Sequence, residues 1–404
     1  MLKCRKITTL GLVSLVIGLS SCHSQQEQSR VDGHYEDSSA EEMANFIGAQ
    51  TVVPEYESSS RVIIGSPLLQ YYNKVDLVEA ILDAGVDEVL VTVSQGASTS
   101  TSGPLFSRLR AKIGSRIDQV RAVNQAERGG LTVWARDWAP LGAETSGLGT
   151  FGDGLSLVDF NYYPRRQADD ATARALETVF SSKRISVPVY NEGGNFMINS
   201  SGDCMMSDRV VQANARKFFP NDLILDEAQI KTYYKQFAGC KSVYIFPRMP
   251  REGTGHIDMW AKFLDDQTVL VSEMRDDTLM TMPATSSNRA LALQVQKYLN
   301  DRADEIAALG FDVVRVPMPS PIAGRLVVMR SYTNSLLANG TAIVPRYVKP
   351  ALGLGTYQDL ELIEAYEADV TLAYEAAGYR VVFVNSDQLI AAGGAVHCVT
   401  MQLP

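Results

Sequence analysis

The chain has 404 residues, with 46 Asp and Glu against 37 Lys and Arg and a formal charge of −9 at pH 7. An acidic chain repels polyanions, so nucleic acid is not an expected partner, and the length is ample for burying a large core. Beyond the N-terminus no segment has the run of about 20 apolar residues that a membrane-spanning helix needs.

The first predicted element is an export signal. Lys3, Arg5 and Lys6 give a positive start, and residues 7–19 are apolar apart from Thr, Ser and Gly. This run is too short for a membrane span and ends at Leu19-Ser20-Ser21-Cys22. The box resembles a bacterial lipoprotein cleavage site. Residues 1–21 would be removed and Cys22 lipidated; an ordinary signal peptide cut nearby is the simpler alternative. Losing the three cations would take the formal charge to −12. Residues 22–50 are polar, acidic and without apolar period, as in a flexible tether. The expected protein is exported and held as a lipoprotein at the bacterial outer membrane or its periplasmic face, touching membrane only through the lipid.

Residues 51–404 contain no Pro/Gly/Ser-rich linker and are expected to form one catalytic domain of α/β class. Strand-like runs fall at 61–64, 88–93, 155–160, 242–246, 268–272, 341–344 and 380–384, and helical periodicity at 75–84, 171–180, 288–309 and 359–377. A hairpin recurs among them. Residues 259–264 turn at Asp265-Asp266 into 268–272, residues 335–337 turn at Asn339-Gly340 into 341–344, and residues 196–199 turn at Ser201-Gly202-Asp203.

Each hairpin follows a polar motif. These are Glu192-Gly193-Gly194-Asn195, Gly255-His256-Ile257-Asp258 and Tyr332-Thr333-Asn334; Trp134-Ala135-Arg136-Asp137 precedes them and Gly393-Gly394-Ala395-Val396-His397-Cys398 ends the series. The spacing from Asp137 to Glu192, His256, Asn334 and Cys398 runs 55, 64, 78 and 64 residues. Units of similar length, each carrying one polar residue to the head of a strand, point to a ring of α/β modules around one site. An ordinary mixed sheet with similar hairpins is the alternative.

The residue types suggest how that site works. A guanidinium is planar, always charged and rich in N–H donors, and paired aspartates such as Asp137 and Asp258 can accept from it. Taken alone, Asp137 would be a turn cap or the partner of Arg136, but Trp134 and Trp138 flank it. On a strand His256 and Asp258 would share a face, whereas His397 would point away from Cys398 and receives no role. Glu192, beside glycines that let backbone approach, is placed to orient His256. Cys398 is the nucleophile candidate. Cys204 and Cys240 are free to pair in an oxidising compartment, a pairing that spacing does not establish. No zinc or redox dithiol pattern is present, and a single usable histidine with carboxylates is no specific metal signature.

In this order the motifs, with Ser331 before Tyr332, resemble the bacterial peptidylarginine deiminase and agmatine deiminase family, guanidine-modifying enzymes of the amidinotransferase-like superfamily. Pro54-Glu55-Tyr56-Glu57 also resembles the family's opening, and the similarity runs from Val53 to Pro404. The resemblance implies a five-bladed pseudo-symmetric α/β propeller of repeated ββαβ units around a central site, with no cofactor and no metal. It implies that Asp137 and Asp258 grip the guanidinium and that Cys398 attacks its carbon. His256, steadied by Glu192, would manage protons, Asn334 would assist, and Trp134 would pack on the substrate stem. Arg165 matches one of two arginines that hold a substrate carboxylate in the peptidyl type, while Tyr163 replaces the other. The expected reaction is deimination of peptidyl arginine to peptidyl citrulline and ammonia. Agmatine to N-carbamoylputrescine is the enzyme alternative, and a lipid-anchored binder of guanidino ligands the non-enzyme one.

Overall fold

The first described strand, Ala49–Val52, pairs antiparallel with Leu141–Ser146, so two residues assigned to the tether, 49 and 50, belong to a sheet. A computed structural model describes residues 49–146, 154–322, 327–351 and 355–404. The signal segment and the lipidation candidate Cys22 lie outside the described residues, which all belong to one compact unit. No helix among them is long and apolar enough to cross a membrane.

The strands form five sheets that repeat one plan, an antiparallel pair followed by a parallel strand. Leu141–Ser146 pairs with Leu155–Asn161, which takes Lys183–Tyr190 in parallel. Met197–Ile198, Asp203–Ser207 and Ser242–Phe246 follow the same order. So do Ala261–Phe263, Thr268–Glu273 and Asp312–Pro317, and then Leu336–Ala338, Thr341–Arg346 and Arg380–Asn385. The fifth sheet joins the two ends of the chain: Met401–Leu403 pairs antiparallel with Arg61–Gly65, which is parallel to Glu88–Val93 and then Val120–Asn124.

A parallel neighbour needs a crossover, and a helix supplies it in each sheet. Helices Thr172–Phe180, Glu227–Phe237, Ser287–Ala308, Ile363–Ala376 and Val75–Asp83 fill these positions. Local chemistry sets their ends. Ser286 accepts a hydrogen bond from Arg289 N at 3.1 Å, and Asp226 forms a reciprocal capping box with Gln229. The predicted start at 359 moves to Ile363 because Asp359 is occupied by the buried Arg330 and by Ser320 N, and Leu360–Leu362 winds as a tighter turn. In Val75–Asp83 the buried side chains Leu77, Val78, Ala80, Ile81 and Leu82 form one apolar stripe against the sheet.

The three expected hairpins are present. At one of them Asn339 and Gly340 have φ of 46° and 73°, the left-handed pair that a two-residue hairpin turn requires. Cys204 and Cys240, left open by the sequence, form a disulfide that ties strand Asp203–Ser207 to the chain leaving helix Glu227–Phe237. The pairing follows from topology: the crossover returns the chain beside its starting strand, with Val243 in register with Cys204.

Candidate active site

Every sheet delivers its polar residue immediately before its first strand. Four of the carriers are short helical turns: Ala135–Trp138 holds Asp137, Gly193–Asn195 follows Glu192, Ile257–Met259 holds Asp258 directly after His256, and His397–Val399 holds Cys398, while Asn334 lies on a bend. The strand geometry expected at His256 and at Cys398 is therefore corrected to tight turns.

These turns converge on Gly194. A β-carbon there would stand 2.7 Å from His256 Nδ1, 2.9 Å from Asp258 Oδ2 and 3.0 Å from Asp137 Oδ1, so the missing side chain leaves the space between the three groups. Gly194 N donates to Asp137 Oδ1 at 3.4 Å. A second glycine, Gly394, does the same beside the thiol, since a β-carbon there would lie 2.7 Å from both Cys398 Sγ and Trp134 Cζ3. Trp134 also packs against all three apolar cores. Cys398 is buried; its Sγ lies 3.2 Å from Asn334 Nδ2 and 3.7 Å from Asp258 Oδ2. Asn334 Oδ1 accepts from Ala395 N at 3.0 Å and fixes the loop that carries the cysteine.

Charge in this space is finely divided. Burial disfavours a charged His256, yet Glu192 Oε2 at 3.3 Å and Asp137 Oδ1 at 3.7 Å outweigh it and lift the imidazole to about 10. The charges of Glu192 and Asp137 do most of this, and the contact of Nε2 with Glu192 adds to it. Burial pushes Glu192 up, but His256, Arg209 and the Tyr163 hydroxyl at 2.6 Å bring it down to about 2. Asp137 rises to about 7 through burial, with Glu192 and Asp258 adding to the rise against the pull of His256. Burial also raises the Cys398 thiol, and the charges of Asp258 and Asp137 raise it further. Asp258 goes the other way: burial is overcome by His397, and its Oδ1 remains buried without a partner.

An open acceptor at Asp258, a second carboxylate at Asp137 and a thiol beside them suit a planar cation presented to a nucleophile. No group of three or more His, Cys, Asp or Glu side chains among the described residues is arranged to share a metal ion.

Arg165 is exposed and outside this cluster; its neighbour Arg166 donates to Tyr162 Oη at 2.6 Å. Tyr163 is committed to Glu192 and Arg209. Arg136, which would pair with Asp137 on the surface if that motif were ordinary, is buried and bonded to Gln402 Oε1 at 2.5 Å.

His397 is the main site residue that sequence reasoning passed over. The expectation that it faces away assumed strand periodicity, but in the observed turn its Nδ1 lies 2.7 Å from Asp258 Oδ2 and its Nε2 2.9 Å from Glu55 Oε2. Glu55 also accepts from Lys262 Nζ at 2.7 Å and from Leu337 N at 2.9 Å. Glu55, Arg136, Asp258, Lys262 and His397 all border a cavity of about 40 Å³. Glu55 stood in the opening motif with no role attached, and nothing local in the sequence marked Lys262, Tyr163 Oη or Arg209 as partners.

Comparison with known proteins places this geometry. A Streptomyces coelicolor protein named as a candidate agmatine deiminase is 26% identical over 299 residues, covering 70% of this chain and 78% of its own. Among solved structures, a candidate arginine deiminase from Porphyromonas gingivalis superposes with a TM-score of 0.66 at 17% identity, over 88% of this chain and 98% of that one. The agmatine deiminase of Enterococcus faecalis superposes with a TM-score of 0.64 at 16% identity, over 88% and 96%. These superpositions show the amidinotransferase-like α/β fold. The sequence profile of the Porphyromonas-type peptidyl-arginine deiminases matches residues 71–404, and the chain belongs to that family of hydrolases acting on a guanidine C–N bond.

Proposed function

We propose that the chain deiminates a small free guanidine, agmatine first among them, giving a ureido product and ammonia through a covalent intermediate on Cys398. The observation that carries this reading is the gathering of Asp137, His256 and Asp258 around Gly194, with the Cys398 thiol 3.7 Å from Asp258. The choice of a small guanidine rests on two supports. Sequence relatives from several bacteria bear the agmatine deiminase name. In addition, Tyr163 stands where the peptidyl type is expected to carry one of its two carboxylate-binding arginines, and its hydroxyl is bound to Glu192.

In this mechanism the guanidinium donates to Asp137 and to the open Oδ1 of Asp258. Its positive charge offsets the two carboxylates that hold the thiol neutral, so Cys398 gives its proton to solvent and attacks the guanidinium carbon as thiolate. Protonated His256 passes its proton to one amino nitrogen, which departs as ammonia and leaves an S-alkylthiouronium. The neutral imidazole then takes a proton from water as the hydroxide adds. The adduct collapses, the C–S bond breaks with its electron pair returning to sulfur, the hydroxyl proton passes to the departing thiolate, and the neutral ureido product leaves. Asn334 supports the thiolate and Trp134 walls the substrate stem.

The test compares ammonia release from agmatine, free arginine and a peptide ending in arginine, with Cys398→Ser as control. Turnover confined to agmatine supports the proposal. Turnover confined to the peptide favours peptidyl arginine, a reading supported by the predicted export signal. Binding of guanidines without turnover returns the non-enzyme alternative. We also propose that the five sheets close into a five-bladed propeller, a reading supported by their repeated strand plan and by the polar residue each carries at the same position. Lipid anchoring at Cys22 is proposed on the leader alone; palmitate labelling in the producing cell should be lost in Cys22→Ala.

A further inference from the structure

His397 is buried between two carboxylates contributed by distant parts of the chain, Asp258 at Nδ1 and Glu55 at Nε2, at 2.7 and 2.9 Å. Ionised carboxylates only accept hydrogen bonds, so each contact calls for a ring nitrogen that donates. The backbone around it is held as well. His397 N donates to Asn334 O at 3.0 Å, and its carbonyl faces Arg136 Nε at 3.5 Å. Behind it, Glu55 is fixed by Lys262 and by Leu337 N. Beyond it, the occupied Oδ2 of Asp258 contrasts with Oδ1, which is buried and has no partner.

We infer that His397 is a positioning residue: braced by Glu55 and Lys262, it occupies one oxygen of Asp258 and so aims the other at the substrate cation. The inference rests on the guanidine-site reading above and adds a residue that touches no reacting atom. It accounts for a difference between the two aspartates. Asp258 has His397 as a close side-chain partner, whereas Asp137 has a long backbone N–H and a histidine it shares with Glu192. An unbraced carboxylate in so buried a place would protonate or swing away, and the open acceptor would be lost.

The experiment uses 2-chloroacetamidine and 2-chloroacetamide, reagents of nearly one shape that alkylate the same thiol, only the first of which is a planar cation. Rate constants are read on the Cys398 peptide by mass spectrometry for the full chain, and their ratio reports cation recognition independently of thiol reactivity. The wild type should prefer the amidine by tenfold or more. His397→Leu should lower that ratio at least tenfold, and His397→Asn, which keeps a donor near the Nδ1 position, should recover most of it. With substrate, His397→Leu should raise KM more than it lowers kcat. A purely structural His397 would slow both reagents alike, so an unchanged ratio in folded His397→Leu overturns the inference. If that variant does not fold, Glu55→Gln carries the test: a threefold or larger fall in the ratio supports the brace and an unchanged ratio overturns it. No preference for the amidine in the wild type would instead overturn the guanidine reading, and the inference with it.

Discussion

Asn334 holds Cys398 from two sides: its Nδ2 lies 3.2 Å from Sγ, and its Oδ1 accepts from Ala395 N at 3.0 Å, three residues before the cysteine. The first contact is one of the few that favour the thiolate, against burial and two carboxylates that oppose it. Asn334→Ala should therefore push the thiol higher still and orphan a buried N–H. A fall in kcat of about 100-fold is expected, the scale for losing one preorganised donor. Asn334→Asp should lose more, because it adds a third anion. Both are checked by steady-state kinetics together with the pH dependence of Cys398 alkylation, whose midpoint should move upward in each variant.

Adjacent glycines separate folding from catalysis. A β-carbon at Gly193 would sit 2.1 Å from the backbone carbonyl oxygen of Arg136, which cannot move without shifting the whole turn, so Gly193→Ala should be destabilised. At Gly194 the atoms nearest to the same carbon belong to the side chains of His256, Asp258 and Asp137 rather than to backbone. Gly194→Ala should melt close to wild type while kcat/KM falls by 100-fold or more. Melting curves and kinetics on both proteins check this, and equal melting temperatures for the pair would contradict it.

Most of this site was legible in the sequence because five polar motifs recur at similar spacing and each stands before a short apolar run. The strands 88–93 and 242–246 could be read to the residue: the first is a buried central strand and a nearly continuous apolar run, and the second, at a sheet edge, is rich in β-branched and aromatic residues. His397 was misread for a physical reason. Period-two reasoning holds on a strand, and Gly393-Gly394-Ala395-Val396 leads instead into a turn, where neighbouring side chains can reach one site. Glu55 and Lys262 lie more than 130 residues from His397, and only the closing of the fifth sheet by the C-terminal strand brings these segments together.

The Cys204–Cys240 bridge closes a loop with a sequence separation of 36 residues. Chain-entropy reasoning assigns such a loop about 3–4 kcal/mol of stabilisation. Neither cysteine touches the residues gathered at Gly194, so the double variant Cys204→Ser/Cys240→Ser should unfold at lower denaturant yet keep wild-type kcat at a temperature where it stays folded. Urea titration with and without reductant checks the first part; the wild type should lose stability in reductant and the double variant should not.

Asp137 sets stability against function. Its carboxyl rises from an ordinary 3.8 to about 7 because burial, Glu192 and Asp258 all oppose its charge and outweigh the pull of His256 and of the Gly194 N–H. A carboxyl raised on folding costs stability wherever it must ionise: nothing below pH 3.8, a growing penalty between 3.8 and 7, and the full penalty above 7. Asp137→Asn should accordingly melt higher than wild type at pH 8 and the same at pH 3.5. The guanidinium needs this carboxylate ionised, so kcat/KM in the wild type should climb with pH through about 7. The general acid sets the other limit, because His256 loses its proton at about 10 and ammonia can then no longer be protonated as it leaves. The profile should be a bell with limbs near these two values, and Asp137→Asn should flatten the acid limb while lowering the maximum by 100-fold or more. An acid limb that persists unchanged in Asp137→Asn would assign it to another group and remove Asp137 from substrate binding.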